Sequence, residues 1–207
     1  MPSNPKIPKD MILKAALDML IRDGYAALNI KALAKELDCS TQPISWHFGN
    51  MDGLRRELAD YALSYANEKM HPSAKSGFEA FTEVGAAYIN IAFDEPNLFR
   101  FLYMDGSSGY CLGGLDALIS ATDNTALITK VSEEFTISEE NACRYIQNSI
   151  IYTHGIVSLI ASGVMKSTKT QVMEMVNRAG YAFLSQESAD LQSTKSLGNR
   201  LLSGGEK

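Results

Sequence analysis

The chain has 207 residues, 45% of them hydrophobic and 21% charged, with a formal net charge of −5. That is enough chain to bury one or two cores, and too ordinary a mixture for a low-complexity or disordered polypeptide. Three widely spaced cysteines (Cys39, Cys111, Cys143) argue against a disulfide framework or a metal knot and fit a reducing, cytoplasmic setting, and MPSNPKIPKD at the N-terminus lacks the apolar run of a secretion signal.

The first periodic stretch, DMILKAALDMLIRDGY, places Ile12, Ala15, Ala16, Met19 and Leu20 on one helical face, with Asp10 as candidate cap and Gly24 as terminator. In NIKALAKELDC, Asn29 is placed to cap a second helix whose apolar stripe is Ile30, Leu33, Ala34 and Leu37, leaving Lys31 and Lys35 outside. Asp38 and Cys39 make a tight link. Ser40 is the expected cap of a third, very short helix, with Pro43 early enough to be tolerated and Ile44 and Phe48 as its buried side. A fourth helix runs from Asn50 or Asp52 to about His71.

The remainder also reads as helical, without a period-2 strand, so the expected fold is all-α. GFEAFTEVGAAYINIAF carries Phe78, Phe81, Gly85, Tyr88 and Ala92 on one broad side, and DEPNLFRFLYM is expected to begin with Asp94 as cap. Residues 105–114 form a glycine-rich loop; a helix from near Leu115, interrupted around 122–125, continues toward Phe135. Ser138, with Glu139 and Glu140 in the first turn, starts a long helix that has no charge for the 21 residues between Arg144 and Lys166. Its Gln147, Asn148, Ser149, Thr153, His154, Ser158 and Ser162 mark a helix buried in a bundle or a subunit interface, and argue against a membrane span. Ser167 or Thr168 starts the last helix, with Val172, Val176, Ala179 and Phe183 in register, and residues 187–207 read as a flexible tail.

The first three helices follow a helix-turn-helix pattern, the motif itself spanning about 29–48. Its second helix must be short and pinned by few residues, so that the opposite side can enter a major groove. With Ile44 and Phe48 buried, Thr41, Gln42, Pro43, Ser45, Trp46 and His47 are left over. Gln suits adenine edges, Thr and Pro a thymine methyl, and small hydroxyls a phosphate. Trp46 lies about 200° around the helix from Ile44, which argues against a core role; His47 borders the buried pair and is open between packing and phosphate contact. Charge adds little: residues 1–50 hold six Lys/Arg against five Asp/Glu.

These residues resemble the DNA-binding domain of TetR-family transcriptional repressors. ILKAALDMLIRDGYAALNIKALAKELDCSTQPISWHFGNMDGL (12–54) is similar to the family's amphipathic first helix, its Leu-Ala-x-x-Leu block (Leu33, Ala34, Leu37) and the His-Phe end of its recognition helix (His47, Phe48). The resemblance implies a DNA-binding domain over 6–66 that adds Asn29, Lys31 and Ser40 to the contact set, and a bundle over 72–186 that binds a small molecule and dimerises through its last two helices. EPNLFRFLY and THGIVSLIASG also look like that C-terminal half. Three departures stand out: Ser45 replaces the usual tyrosine, Met51 the usual lysine and Asp38 the usual turn glycine, so weaker DNA binding with a shallower salt dependence is expected. The implied function is a ligand-responsive, dimeric repressor on a pseudo-palindromic operator, with the fourth helix as lever; the alternative is a protein–protein adaptor whose helix-turn-helix has lost DNA.

Within the bundle, Tyr88, Phe99, Tyr103, Tyr145, Asn148 and His154 are the candidate ligand-lining residues, although aromatic packing, and for His154 a core or interface position, is the plainer reading. Cys39 lacks a cationic neighbour in sequence and reads as structural rather than as a redox switch. No phosphate loop, metal-ligand spacing or nucleophile elbow is present, so neither an enzyme nor a cofactor is expected.

Overall fold

The computed structural model describes residues 7–73, 77–104 and 125–188. Its described residues are all-helical: α1 (Lys9–Asp23), a 3-10 turn (Tyr25–Ala27), α2 (Ile30–Glu36), α3 (Gln42–Phe48), α4 (Met51–Lys69), α5 (Gly77–Asp94), α6 (Pro96–Tyr103), α7 (Thr125–Phe135), α8 (Glu139–Ala161) and α9 (Lys169–Ser188). The expected glycine-rich loop and the helix start near Leu115 lie outside the described residues, as does the tail beyond Ser188.

Three expected caps differ, each for a local reason. Pro8, not Asp10, is the residue ahead of α1, and Asp10 sits inside the first turn, where the helix dipole still favours its charge. Thr41, not Ser40, precedes α3 and makes no side-chain cap; Pro43 in the first turn lacks the amide that would need one. Asp94 ends α5 instead of capping α6, and its carboxylate holds Lys169 (2.9 Å). Glu95 takes the position ahead of α6 with no cap bond, because its Oε1 accepts from Tyr65 (2.9 Å) and Lys69. The other caps form as the residue types dictate: Asn29 accepts from Ala32 N, Asn50 from Gly53 N and Ser138 from Asn141 N. Thr168 and Gln171 make a reciprocal capping box at the start of α9.

One hydrophobic core runs without a break from α1 (Ile12, Ala16, Leu20) through Leu33, Ile44 and Leu54 to α5 and α6 (Ile89, Leu98, Phe99, Leu102) and the far ends of α8 and α9 (Val157, Val172). A second, smaller core gathers Val131, Ala142, Tyr145 and Ile146, with Phe78, Phe81 and Phe135 packed against it. Helices α8 and α9 form an antiparallel hairpin, since Asn141 at the start of α8 donates to Glu187 O at the end of α9 (2.7 Å) and Arg144 pairs with Glu187 (3.1 Å).

The junction between the N-terminal helices and the bundle is carried by α6. Asn97 donates to Ile21 O (3.0 Å), at the otherwise unsatisfied end of α1. Phe101 stacks on Tyr25 with ring centroids 5.2 Å apart, and the Arg55 guanidinium lies 4.3 Å from the Tyr25 ring. The short α6 therefore touches both halves.

The link between α2 and α3 closes as a Schellman turn: Cys39 N donates to Ala34 O (2.9 Å) and Asp38 N to Lys35 O (3.2 Å). This geometry puts Asp38 at φ 48°, in the left-handed region where glycine is unstrained. Asp38→Gly should therefore raise stability by up to about 1 kcal/mol, read as an increased denaturation midpoint with unchanged cooperativity.

Candidate nucleic-acid interface and the cavity behind it

Helix α3 has two turns, too few to persist alone, so tertiary packing decides which face it shows. Ile44 is fully buried and Phe48 nearly so, whereas Trp46 is 71% exposed, and Thr41, Gln42 and Ser45 are also exposed. Ser40 is exposed beside them, and Pro43 is half-buried. Trp46 meets the His47 ring edge-on at 4.7 Å.

His47 is half-buried, and its Nε2 lies 3.0 Å from Ile7 O, so the ring ties down the segment ahead of α1. Asn29 is exposed, but its Oδ1 is engaged in capping α2. Lys31 is exposed on the outer side of α2, as is Lys35. Cys39 is half-buried with its thiol donating to Ser40 O (3.2 Å); burial, and then the Asp38 charge, push its pKa up, which disfavours a reactive thiolate.

Sequence reading missed one residue that this surface depends on. A Cβ at Gly53 would lie 2.0 Å from Phe48 O, so only glycine lets the end of α3 rest on the first turn of α4. No periodicity rule marks a close backbone approach of this kind; it exists only once the two helices meet.

Behind this head, a cavity of about 1550 Å³ opens between α4, α5, α7, α8 and α9, with Tyr103 of α6 at its wall. It is larger than the roughly 300–1,000 Å³ of ordinary ligand sites. Of the six candidate lining residues, the structure brings Tyr88, Tyr103 and Tyr145 to the cavity. Phe99, on the same face of α6 as Tyr103, is instead sealed in the core by the helices packed against it, and Asn148 is exposed on α8, one residue round from the cavity-lining Ser149. His154 stands one layer back: its Nδ1 is hydrogen-bonded with the Tyr88 hydroxyl (2.8 Å), and its Nε2 lies 3.4 Å from Ser158 Oγ. Met70, Phe78, Phe81, Phe135 and Met173 line the cavity and were absent from the candidate set. Among the described residues no group of three or more His, Cys, Asp or Glu side chains could hold a metal ion, and no helix is long and apolar enough to cross a membrane.

Burial holds the His154 pKa below its ordinary 6.5, and burial, helped by Tyr103, pushes the Tyr88 phenol up, so both groups are uncharged at neutral pH. The unfolded chain thus takes up a proton at His154 at higher pH than the fold does. Stability should fall as pH drops from about 6.5 toward the folded value, and His154→Gln should remove that part of the slope in denaturation midpoints measured across the range. For the recognition surface, Ile44→Ala should cost about 2–5 kcal/mol, whereas Trp46→Ala should change stability by less than about 0.5 kcal/mol, both measured by chemical denaturation.

Residues 12–58 match the family model of bacterial regulatory proteins, tetR family. The uncharacterized HTH-type transcriptional regulator YobS of Bacillus subtilis (strain 168) is 21% identical over 182 residues, covering 86% of this chain and 92% of the relative. The fold is similar to a glutamine-to-alanine variant of TetR from Acinetobacter baumannii AYE in complex with minocycline (TM-score 0.55, 17% identity, 89% of this chain and 100% of that one). It is likewise similar to a TetR-family transcriptional regulator from Rhodococcus sp., described as putative in its structure's name (TM-score 0.58, 16% identity, 84% and 97%).

Proposed function

We propose that the chain is a TetR-family regulator, a ligand-responsive, cytoplasmic repressor that binds a pseudo-palindromic operator as a homodimer; the family-model match over residues 12–58 and the similar folds support this. The observation that carries the reading is the outward row on α3: Thr41, Gln42, Ser45 and Trp46 are exposed above a sealed Ile44 and Phe48. Thr41 and Gln42 are the base-reading residues, Trp46 offers apolar contact to base methyls and sugars, and Ser40, Ser45 and Lys31 reach phosphates. Asn29 contributes by holding the first turn of α2 in place. Pro43 stiffens the start of α3, and His47 anchors the arm ahead of α1 with its second ring nitrogen left for a phosphate.

The dimer reading is supported by the outer face of the α8–α9 hairpin. Ile151 and Leu159 are each 45% exposed and Tyr181 is 72% exposed, and α9 has only Val172 fully buried despite its apolar period. A helix with so little core of its own gains from a second copy. Two copies joined there would present two α3 helices, which read one duplex only if they stand about 34 Å apart, one helical turn of DNA.

The effector reading is supported by the cavity and by its position. A ligand against Tyr103 presses on the last residue of α6, and the other end of α6 holds α1 through Asn97. Helix α4, which packs on α1 and α3 at one end and lines the cavity at the other, is the second route. Either route couples a bundle shape to the spacing of the recognition helices, and the coupling is reciprocal.

Selection of binding sequences from a random duplex pool should return a two-fold site. Thr41→Ala or Gln42→Ala should weaken that site by about 1–3 kcal/mol while leaving non-specific binding intact, measured by fluorescence anisotropy. Met51→Lys should steepen the salt dependence by about 0.9 in log–log slope through one added phosphate contact. Salt-insensitive binding, or none, would leave the exposed Trp46 surface to a protein partner, as the adaptor alternative requires.

A further inference from the structure

The cavity's hydrogen bonds leave two deep hydroxyls over, Tyr103 Oη and Ser149 Oγ. Tyr88 is committed to His154 (2.8 Å) and Thr153 to Ser149 O (2.7 Å), while Ser149 Oγ, on a short side chain of α8, has no partner of its own. Tyr103 is 7% exposed, lines the cavity, and its Oη is buried without a hydrogen-bond partner. A buried hydroxyl left in this state costs stability that a packed phenylalanine would not. Its ring is held by Tyr88 at 5.1 Å and Phe99 at 5.2 Å, so the hydroxyl cannot swing away to solvent without disturbing both. Burial also raises the Tyr103 pKa to about 12, so the group stays a neutral donor and acceptor.

The charges around the cavity are already spoken for or wet. Glu83 accepts from Ser73 N (2.6 Å) and Ser73 Oγ, Glu134 accepts from Phe78 N (3.2 Å), and Lys130 is exposed to solvent. A ligand ion taken into the apolar interior, away from the exposed Lys130, would lose its water and have no counter-charge beside it. The wall follows α5 from Gly77 to Ile89, which is about 18 Å of helix at 1.5 Å per residue. The space is long, aromatic and thioether-lined.

We propose that this cavity takes an uncharged, elongated, mainly apolar organic molecule carrying an oxygen function that hydrogen-bonds to Tyr103 Oη. The assignment rests on the effector reading of the same cavity, and it narrows the effector's chemistry: charged aromatics are disfavoured, and a pure hydrocarbon leaves Tyr103 unsatisfied. The bond to the ligand lands on the last residue of α6, the helix that grips α1.

The test uses the full-length protein and two matched pairs of probes. N-phenyl-1-naphthylamine and 8-anilinonaphthalene-1-sulfonate share a ring system and differ by the sulfonate; their fluorescence reports binding directly. The neutral probe should bind at least about tenfold tighter, in keeping with the penalty for burying an unpaired charge. Displacement of the neutral probe by 1,3-diphenylpropan-2-one and by 1,3-diphenylpropane compares a carbonyl with a methylene on one frame. The ketone-to-hydrocarbon affinity ratio should fall about two- to tenfold in Tyr103→Phe, the worth of one neutral hydrogen bond, while the variant melts no lower than the parent protein. Equal or tighter binding of the sulfonate, a ratio unmoved by Tyr103→Phe, or no binding of any probe would each overturn the proposal. Ketone binding as expected with operator affinity unchanged would instead overturn the effector reading and leave the ligand class standing.

Discussion

Everything the outward face of α3 presents depends on two side chains beneath a seven-residue helix. Ile44 and Phe48 are one turn apart on α3, and both are buried against neighbouring helices. A helix this short has no stability of its own, so the burial of that pair decides both that it forms and which way it faces. Thr41, Gln42, Ser45 and Trp46 are outward because those two are inward. Gly53 completes the seat by admitting the Phe48 carbonyl to a distance no side chain would permit.

The same logic of shared burial joins the head to the bundle. The principal core crosses from α1 to the ends of α8 and α9 without interruption, so the helix-turn-helix is not a bead on a linker. Helix α6 concentrates this continuity in eight residues: Asn97 on the end of α1, Phe101 on Tyr25, and Tyr103 on the cavity. A packed core passes strain between discrete arrangements more readily than it deforms smoothly, so a shift at the cavity end of α6 would be felt at α1.

The polar groups of the bundle divide by the same criterion of satisfaction. Tyr88 and His154 satisfy each other and act as framework, while Tyr103 does not and acts as a feature of the cavity. On the surface, Arg22–Glu36 ties α1 to α2 and Lys169–Asp94 ties α9 to α5, exposed pairs that steer orientation more than they add stability. The departures at Ser45 and Met51 fall on the head, Ser45 exposed on the outer side of α3 and Met51 half-buried against the principal core.

The sequence by itself determined the all-helical class, the short pinned helix and the outward residues of α3, because each follows from a local 3.6-residue period and a local cap or breaker. It also marked the two long C-terminal helices by their length and apolar registers. Only the tertiary structure decided that Asn97 grips α1, that Glu95 is drawn from capping to Tyr65 and Lys69, and that Gly53 is obligatory, since these depend on atoms brought together from distant parts of the chain. It likewise separated Tyr103 from Phe99, two aromatics four apart in one apolar helix: period places both toward the interior, but which one meets a cavity and which is sealed is set by the helices packed opposite them.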